Sequence, residues 1–241
     1  MAGSPDFANN RNSGQVNGAM SRRSPGSALK PFAYALALDQ GLYSPETVVA
    51  DVPVDLAGYR PENFNRKYSG PVTVKSALIQ SLNIPALLCV RQVGLDNFVN
   101  NLRNLGLASI DKSPDHYGLG IVVGSCEVTL FELVNAYACL ARLGIYSDPV
   151  MIESRHHGKE LRLFSEAAAY MIAEILSGDE RALDLSGHMA DVDMPRVAWK
   201  TGTSAGNRDA WSIAYNPEYV VGVWIGNPDG RPSPSLTISM L

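Results

Sequence analysis

Apolar residues recur at helical spacing between Ser27 and Gly41, and Gly41 is a natural stop for a helix. Pro31 falls in the first turn of this pattern. Its missing N–H costs little there, because the first four amides of a helix have no partner within the helix. The pattern therefore predicts a helix that begins near Gly26 or Ser27.

The rest of the chain divides by the period of its hydrophobic positions. Residues 42–70 carry several turn formers and no sustained period, which is typical of an extended connector with short strands. A period of 3.6 residues then predicts a largely helical block over 71–178, with helices in 72–94, 94–106, 128–144 and 166–178.

The period changes again after this block. Short β-branched or aromatic runs separated by Gly, Asn and Pro predict an antiparallel meander over 196–205, 209–217 and 219–227. A helix, then a helical block, then strands is an α+β pattern, in which a site can form where the helices meet the sheet.

Composition and charge exclude several classes of protein. The 241 residues suffice for one large domain or two interleaved ones, and no unbroken apolar run is long enough to predict a membrane-spanning helix. The net charge of −4 lacks the basic field of a nucleic-acid-binding protein. Three widely spaced cysteines, Cys89, Cys126 and Cys139, predict free buried thiols and neither a disulfide framework nor a metal clamp.

Ser27 and Lys30 stand three residues apart at the start of the predicted helix, so both side chains project from one face. A serine hydroxyl becomes a nucleophile when a neighbouring base takes its proton, and a lysine with a lowered pKa can do so. The spacing alone is weak evidence, because Ser109 and Lys112 share it in a polar loop with no helix to orient them.

Two further segments carry candidate chemistry. Ser81 and Asn83 lie near the end of a predicted helix, where such residues also serve as caps. Lys200, Thr201 and Thr203 follow an apolar run and form a donor-rich edge suited to a substrate carboxylate, although a solvated turn would look the same. Gly202 between them allows another backbone to approach closely.

Taken in order, S-x-x-K at Ser27, S-x-N at Ser81 and K-T-G at Lys200 resemble the motif set of the penicillin-binding proteins and serine β-lactamases. The segments RSPGSALKPF, YSGPVTVKSALIQSLNIPA and AWKTGTS resemble the transpeptidase domain of class A penicillin-binding proteins. The likeness covers nearly the whole chain.

This resemblance implies an α+β fold of the penicillin-binding protein and β-lactamase type. An antiparallel sheet flanked by helices would lie beside an all-helical subdomain, with the active site between them. We expect one transpeptidase domain over 1–241, its sheet subdomain formed by 1–60 and 195–241 and its mainly helical subdomain by 61–194. We also expect an N-terminal strand and a C-terminal covering helix of the family to be missing from this chain.

The resemblance also implies a role for each motif residue. Ser27 would be the acylated nucleophile, Lys30 its base and Ser81 the proton relay to the leaving amine. Asn83 would hold the substrate's peptide backbone and help to position Lys30. The carboxylate of a D-Ala-D-Ala stem would bind to Lys200, Thr201 and Thr203 beside Gly202, and the amides of Ser27 and Thr203 would form the oxyanion hole.

The activity implied is peptidoglycan DD-transpeptidation, with β-lactams as inhibitors that mimic the dipeptide. No cofactor or metal and no nucleic acid is implied. The family's members carry a membrane anchor and a glycosyltransferase domain, which implies a periplasmic or extracellular position at the cytoplasmic membrane. Two alternatives stay open: a DD-carboxypeptidase or β-lactamase-like hydrolase, and a non-catalytic fragment that only binds peptidoglycan or penicillin.

Some residues imitate functional patterns. Glu132 and Asn135 are spaced like the deacylating residues of a class A β-lactamase, but they lie in an apolar-periodic helix, which favours a helix contact. We expect Tyr68 and Trp211 to line the cleft. No function is predicted for the scattered histidines, His116, His156, His157 and His188.

Overall fold

A computed structural model describes residues 4, 6–9, 13–56, 58–150, 160–178 and 196–233. The helices are α1 Lys30–Asp39, α2 Val74–Ile79, α3 Asn83–Val93, α4 Leu95–Asn104, α5 Pro114–Tyr117, α6 Leu130–Ala141 and α7 Glu166–Ser177. The strands are β1 Val48–Asp51, β2 Gly70–Thr73, β3 Ile145–Ser147, β4 Glu160–Arg162, β5 Ala198–Thr203, β6 Asp209–Tyr215 and β7 Val220–Gly226. Two 3-10 turns cover Gly26–Leu29 and Leu119–Val123.

Helix α1 is the centre of the core. Every residue from Lys30 to Leu38 is buried, because α2, α3, α4 and α7 pack around the helix. A helix surrounded in this way must be apolar on all sides, and α1 carries eight non-charged residues after Lys30. The 3-10 turn from Gly26 leads directly into it, with Pro31 in the first turn, as the sequence predicted.

The C-terminal strands form one antiparallel sheet in the order β5-β6-β7. Its register places Gly202 opposite Trp211 and Trp211 opposite Trp224. Helices α6 and α7 pack against this sheet, and β5 also contacts the Gly26–Leu29 turn. The predicted α+β class, with an antiparallel sheet flanked by helices, is confirmed.

Two smaller antiparallel pairs complete the strands. Strands β1 and β2 pair within and at the end of the connector, which confirms the short strands expected there. The pair of β3 and β4 follows α6 and was not predicted, because three-residue strands are too short to show an alternating pattern.

The segment predicted to be helical over 72–94 contains a strand and two helices. The segment begins as β2 and is interrupted after α2, where Ser81 adopts a left-handed φ of 56°. The amides of Ser81 and Leu82 bond back to Leu78 and Ala77, which closes α2. Ser81 therefore lies in the bend just after the end of α2, as predicted, and Asn83 is the first residue of α3.

The three cysteines are buried and free, as predicted. Burial raises the pKa of Cys89 to about 12, so this thiol is inert at neutral pH.

Among the described residues no helix is both long enough and apolar enough to cross a membrane. The division into a sheet subdomain and a helical subdomain, and the missing terminal elements, stay predictions.

Helix α6 begins with a reciprocal cap. Thr129 Oγ1 accepts the amide of Glu132 at 3.1 Å, and Glu132 Oε2 accepts the amide of Thr129 at 2.9 Å. Glu132 Oε1 accepts both the amide and the hydroxyl of Ser109, at 2.9 and 3.0 Å. The helix-contact interpretation of Glu132 is confirmed, and Ser109 serves to hold a loop to this helix.

We expect Thr129→Ala to lower the free energy of unfolding by about 1 kcal/mol, because an amide at the start of α6 loses its acceptor. The matched control is Ser113→Ala, since Ser113 precedes α5 without a side-chain cap. The control should change stability by less than about 0.5 kcal/mol. Urea denaturation of both variants measures the difference, and equal losses would contradict the capping role.

Candidate active site

Ser27 lies in the 3-10 turn that leads into α1, and strand β5 lies directly against this turn. Gly26 has a φ of 54°, and a Cβ added to it would overlap the backbone of Thr203. A Cβ added to Gly202 would overlap the carbonyl oxygen of Pro25. Two glycines thus allow the turn and the strand to meet with no side chain between them.

The other side of the turn is held by a glycine and a tryptophan. Gly124, with a φ of 97°, packs against Gly26, and Ser24 Oγ donates to the Gly124 carbonyl at 2.7 Å. Trp211 is fully buried and donates its indole N–H to the Ser24 carbonyl at 2.7 Å. The expectation that Trp211 lines the cleft is wrong, because its ring is in the core and supports the turn from beneath.

Lys30 is fully buried, and its amine contacts Ser81 and Asn83 in the bend between α2 and α3. Its Nζ donates to Asn83 Oδ1 at 2.7 Å and to the Ser81 carbonyl at 2.5 Å, and it lies 3.4 Å from Ser81 Oγ. These oxygens compensate part of the cost of removing an ammonium group from water.

Ser81 Oγ also accepts from Lys200 Nζ at 2.8 Å. Lys200 is 1% exposed, and its amine donates to the Thr201 carbonyl at 2.8 Å as well. Ser81 has a left-handed backbone, which costs free energy for a residue other than glycine. This conformation directs the Ser81 hydroxyl to the point between Lys30 and Lys200. The Ser81 hydroxyl thus connects the Lys30 amine on α1 to the Lys200 amine on β5.

Burial lowers the pKa of Lys30 from 10.5 to about 7, and the negative charge of Asp51 opposes part of this effect. Near neutral pH both the neutral and the charged form of the Lys30 amine are therefore accessible. A neutral amine beside a serine hydroxyl can accept a proton, and the charged form can return it. The site has the parts of a general acid–base pair.

The K-T-G residues lie along β5 next to the turn of Ser27. Thr201 and Gly202 are buried, and Thr203 is partly exposed. The sheet register keeps Thr201 and Thr203 on one face and Lys200 and Gly202 on the other. Lys200 therefore faces Ser81, whereas the two threonine side chains project from the opposite face of the strand.

The three predicted motifs are brought together. Lys30, Ser81, Asn83 and Lys200 are linked by hydrogen bonds, and Ser27 is placed beside them by its position one turn before Lys30. Among the described residues no hydrogen bond joins the Ser27 hydroxyl to Lys30. The second S-x-x-K pair is confirmed as a loop, because Ser109 is engaged with Glu132.

Sequence reasoning missed residues that hold the site from behind. Tyr137 on α6 donates its hydroxyl to the Ala28 carbonyl at 2.7 Å, inside the turn that carries Ser27. Asp51 and Asn63, which are both buried, bond to each other beside Asn83. Asn63 stood out only as a turn former, and no spacing rule connects these residues to the motifs.

No group of three or more histidine, cysteine or acidic side chains that could hold a metal ion occurs within the described ranges. His116 lies there and contacts Tyr117 edge to face at 5.2 Å. His156, His157 and His188 lie outside the described residues.

Residues 1–236 match the model of the family described as "Penicillin binding protein transpeptidase domain". The chain is 39% identical over 233 residues to penicillin-binding protein 1C of Escherichia coli, covering 95% of this chain and 29% of that protein. It is 30% identical over 228 residues to penicillin-binding protein 1A/1B of Bacillus subtilis, covering 84% of this chain and 25% of that protein. It thus spans less than a third of either relative.

Solved structures share the fold. The crystal structure of penicillin-binding protein 1A from Haemophilus influenzae superposes with a TM-score of 0.75 at 23% identity, covering 93% of this chain and 41% of that one. PonA1 from Mycobacterium tuberculosis, solved in complex with penicillin V, superposes with a TM-score of 0.73 at 23% identity, covering 90% and 64%.

We expect Gly202→Ala to lower the free energy of unfolding by about 1–3 kcal/mol, because the added methyl group overlaps the Pro25 carbonyl. Gly178→Ala is the matched control, since a Cβ there would meet its nearest atom at an ordinary 3.4 Å. Thermal and urea denaturation of both variants measure the effect. Equal stability of the two variants would show that β5 does not press against the turn.

Proposed function

The chain belongs to the family of penicillin-binding protein transpeptidase domains, and from this premise we propose that it is a serine acyltransferase that cross-links the stem peptides of peptidoglycan. The observation that carries the proposal is the set of contacts from Lys30 through Ser81 Oγ to Lys200, placed beside the turn of Ser27. This arrangement supplies a base, a proton relay and a second lysine amine beside the turn that carries Ser27.

In the first step Ser27 Oγ attacks the carbonyl carbon between the two D-alanines of a donor stem. Neutral Lys30 takes the hydroxyl proton as the ester bond forms. The negative charge on the carbonyl oxygen is received by the backbone amides of Ser27 and Thr203, which lie near each other because Gly26 packs against Thr203. Thr201 and Thr203 bind the terminal carboxylate of the donor from their face of β5, and Lys200, whose amine reaches Ser81 from the other face, assists them across the strand edge.

Collapse of the tetrahedral intermediate breaks the peptide bond and needs a proton on the leaving amine. Ser81 gives its hydroxyl proton to the amine of D-alanine and is reprotonated by Lys30, which becomes neutral again. Asn83 holds the peptide backbone of the donor and orients Lys30. An amine of a second stem then attacks the Ser27 ester and forms the cross-link.

The contacts of Glu132 favour slow rather than rapid hydrolysis of the acyl-enzyme. Both of its carboxylate oxygens are engaged, one by Ser109 and one by Thr129. It is therefore not available to activate a water molecule against the Ser27 ester, as the glutamate of a class A β-lactamase does. Slow deacylation leaves time for the amine of a second stem to react.

The same premise supports the partners and the location. β-Lactams would acylate Ser27 as mimics of the D-Ala-D-Ala dipeptide. A glycosyltransferase domain and a membrane anchor would accompany this domain in the whole protein. Because its substrate is peptidoglycan, the domain would act in the periplasm or on the outer face of the cytoplasmic membrane.

Benzylpenicillin should add one drug molecule to the wild-type chain, stable over minutes to hours in intact-mass spectra, and nothing to Ser27→Ala. Ser109→Ala is the matched control, because it removes the serine of the second S-x-x-K pair and should keep full labelling. No adduct with intact drug would mean that the chain only folds like its relatives. No adduct with consumed drug would indicate a β-lactamase.

The acylation rate constant should rise about tenfold per pH unit below about pH 7 and level off above it, because only neutral Lys30 can take the serine proton. Raising the pH through the lowered pKa of Lys30 removes its proton, so the rate increases in that direction. Stopped-flow or quenched labelling from about pH 5 to about pH 9 measures the profile. A rate constant independent of pH in this interval would exclude Lys30 as the base.

A donor peptide ending in D-Ala-D-Ala, incubated with an amine acceptor, separates transpeptidation from hydrolysis. We expect aminolysed product to form in competition with hydrolysed product. Hydrolysed product alone, with the acceptor in excess, would indicate a carboxypeptidase.

A further inference from the structure

Asp51 is a fully buried carboxylate at the end of β1. Its two oxygens accept Asn63 Nδ2 at 2.7 and 3.0 Å, and Oδ2 also accepts the amide of Ser69 at 2.8 Å. All of these donors are neutral, and the salt bridges among the described residues do not include Asp51. A buried charge satisfied only by dipoles is costly, so its neighbours must keep a fixed orientation.

The negative charge of Asp51 determines the orientation of the Asn63 side-chain amide. Asn63 Nδ2 faces the carboxylate and also the Lys67 carbonyl at 2.8 Å, and these groups can only accept hydrogen bonds. Asn63 Oδ1 must therefore point the other way, where it accepts the backbone amide of Asn83 at 2.7 Å. The opposite orientation would place an oxygen against the carboxylate and lose every one of these bonds.

Asn83 is held in turn at both of its donors. Its amide is bonded to Asn63, and its Nδ2 donates to the Glu62 carbonyl at 2.7 Å. Only Oδ1 is left to face the cleft, where it accepts from Lys30 Nζ at 2.7 Å. A continuous series of hydrogen bonds thus runs from the buried carboxylate to the buried amine.

Asp51 also acts on Lys30 through its charge. Its field raises the pKa of Lys30, against the larger lowering by burial. The other titratable groups around this pair are Lys200, which contacts Ser81, and Tyr34, which lies one turn after Lys30 and near Cys89 and Tyr43. Among these groups Asp51 is the one whose negative charge raises the pKa of Lys30.

We propose that Asp51 and Asn63 are positioning residues of the acylation reaction: Asp51 orients the Asn63 amide, and Asn63 holds Asn83 with its oxygen on Lys30. The inference rests on the proposed function, in which Lys30 is the base. Neither residue touches the substrate or the reacting atoms. They fix the orientation of the Lys30 amine and its affinity for a proton.

Two variants test the two parts of this series. Asp51→Asn keeps the shape and removes the charge, and Asn63→Leu keeps the volume and removes the hydrogen bonds. Asp55→Asn is the matched control, because it removes an exposed carboxylate of the same connector that bonds Arg60 and Gly58. The titration of Lys30 is followed by the ¹³Cε signal of labelled lysine, assigned with Lys30→Met, and acylation by the rate constant with benzylpenicillin.

In Asp51→Asn we expect the pKa of Lys30 to fall by about one unit and the midpoint of the acylation profile to fall with it, since a nearby negative charge is lost. In Asn63→Leu we expect the rate constant on the pH-independent plateau to fall about 10- to 100-fold, with a cooperative melt retained. Asp55→Asn should change neither quantity.

An unchanged Lys30 titration in Asp51→Asn would overturn the inference. So would an Asn63→Leu variant whose folded molecules react at the wild-type rate, because the role would then be structural only. If Asn63→Leu does not fold, the isosteric Asp51→Asn decides. If the wild-type chain is not acylated, the proposed function fails, while the Lys30 titration still decides whether Asp51 acts on that amine.

Discussion

Two lysine amines are buried against a single serine hydroxyl, and the rest of the site depends on this contact. Lys30 and Lys200 both donate toward Ser81 Oγ although neither is exposed to water. Burying a charged lysine amine is unfavourable, and burial accordingly lowers the pKa of Lys30 to about 7. The protein thereby holds an amine that can take and return a proton, in exchange for a loss of stability.

Such a contact needs three separate parts of the chain to keep their relative positions, because hydrogen bonds weaken steeply when their geometry is lost. The 3-10 turn Gly26–Leu29 lies between β5 and the backbone at Gly124, and no side chain fits at Gly26 or Gly202. Trp211 and Tyr137 bond to carbonyls within and before the turn. Backbone contacts of this kind leave little freedom for the nucleophile, which is what an acyl transfer between two bound peptides requires.

The bend between α2 and α3 is a feature that the sequence did not predict. The residues of S-x-N are local and were identified near the end of a helix, but the period of 3.6 residues continues across them and does not show the bend. What breaks the helix is the left-handed backbone of Ser81 together with acceptors supplied by distant residues, Asn63 and Glu62. A connector classified only by its turn formers thus contributes two of the groups that orient Asn83. Periodicity reports burial along one element and carries no information on bonds between elements.

The sequence by itself determined the order and type of the long elements, the buried free cysteines, and the three motifs that resemble those of the penicillin-binding proteins. These are properties of near neighbours along the chain, in which residue type and spacing are sufficient. Only the tertiary structure decided which amines meet at Ser81, how far the pKa of Lys30 falls, and that Asp51 and Asn63 lie behind Asn83. Burial, charge–charge distance and the direction of a side-chain amide depend on atoms brought together from distant segments, such as Ser81 and Lys200, which are 119 residues apart. Local patterns do not contain this information.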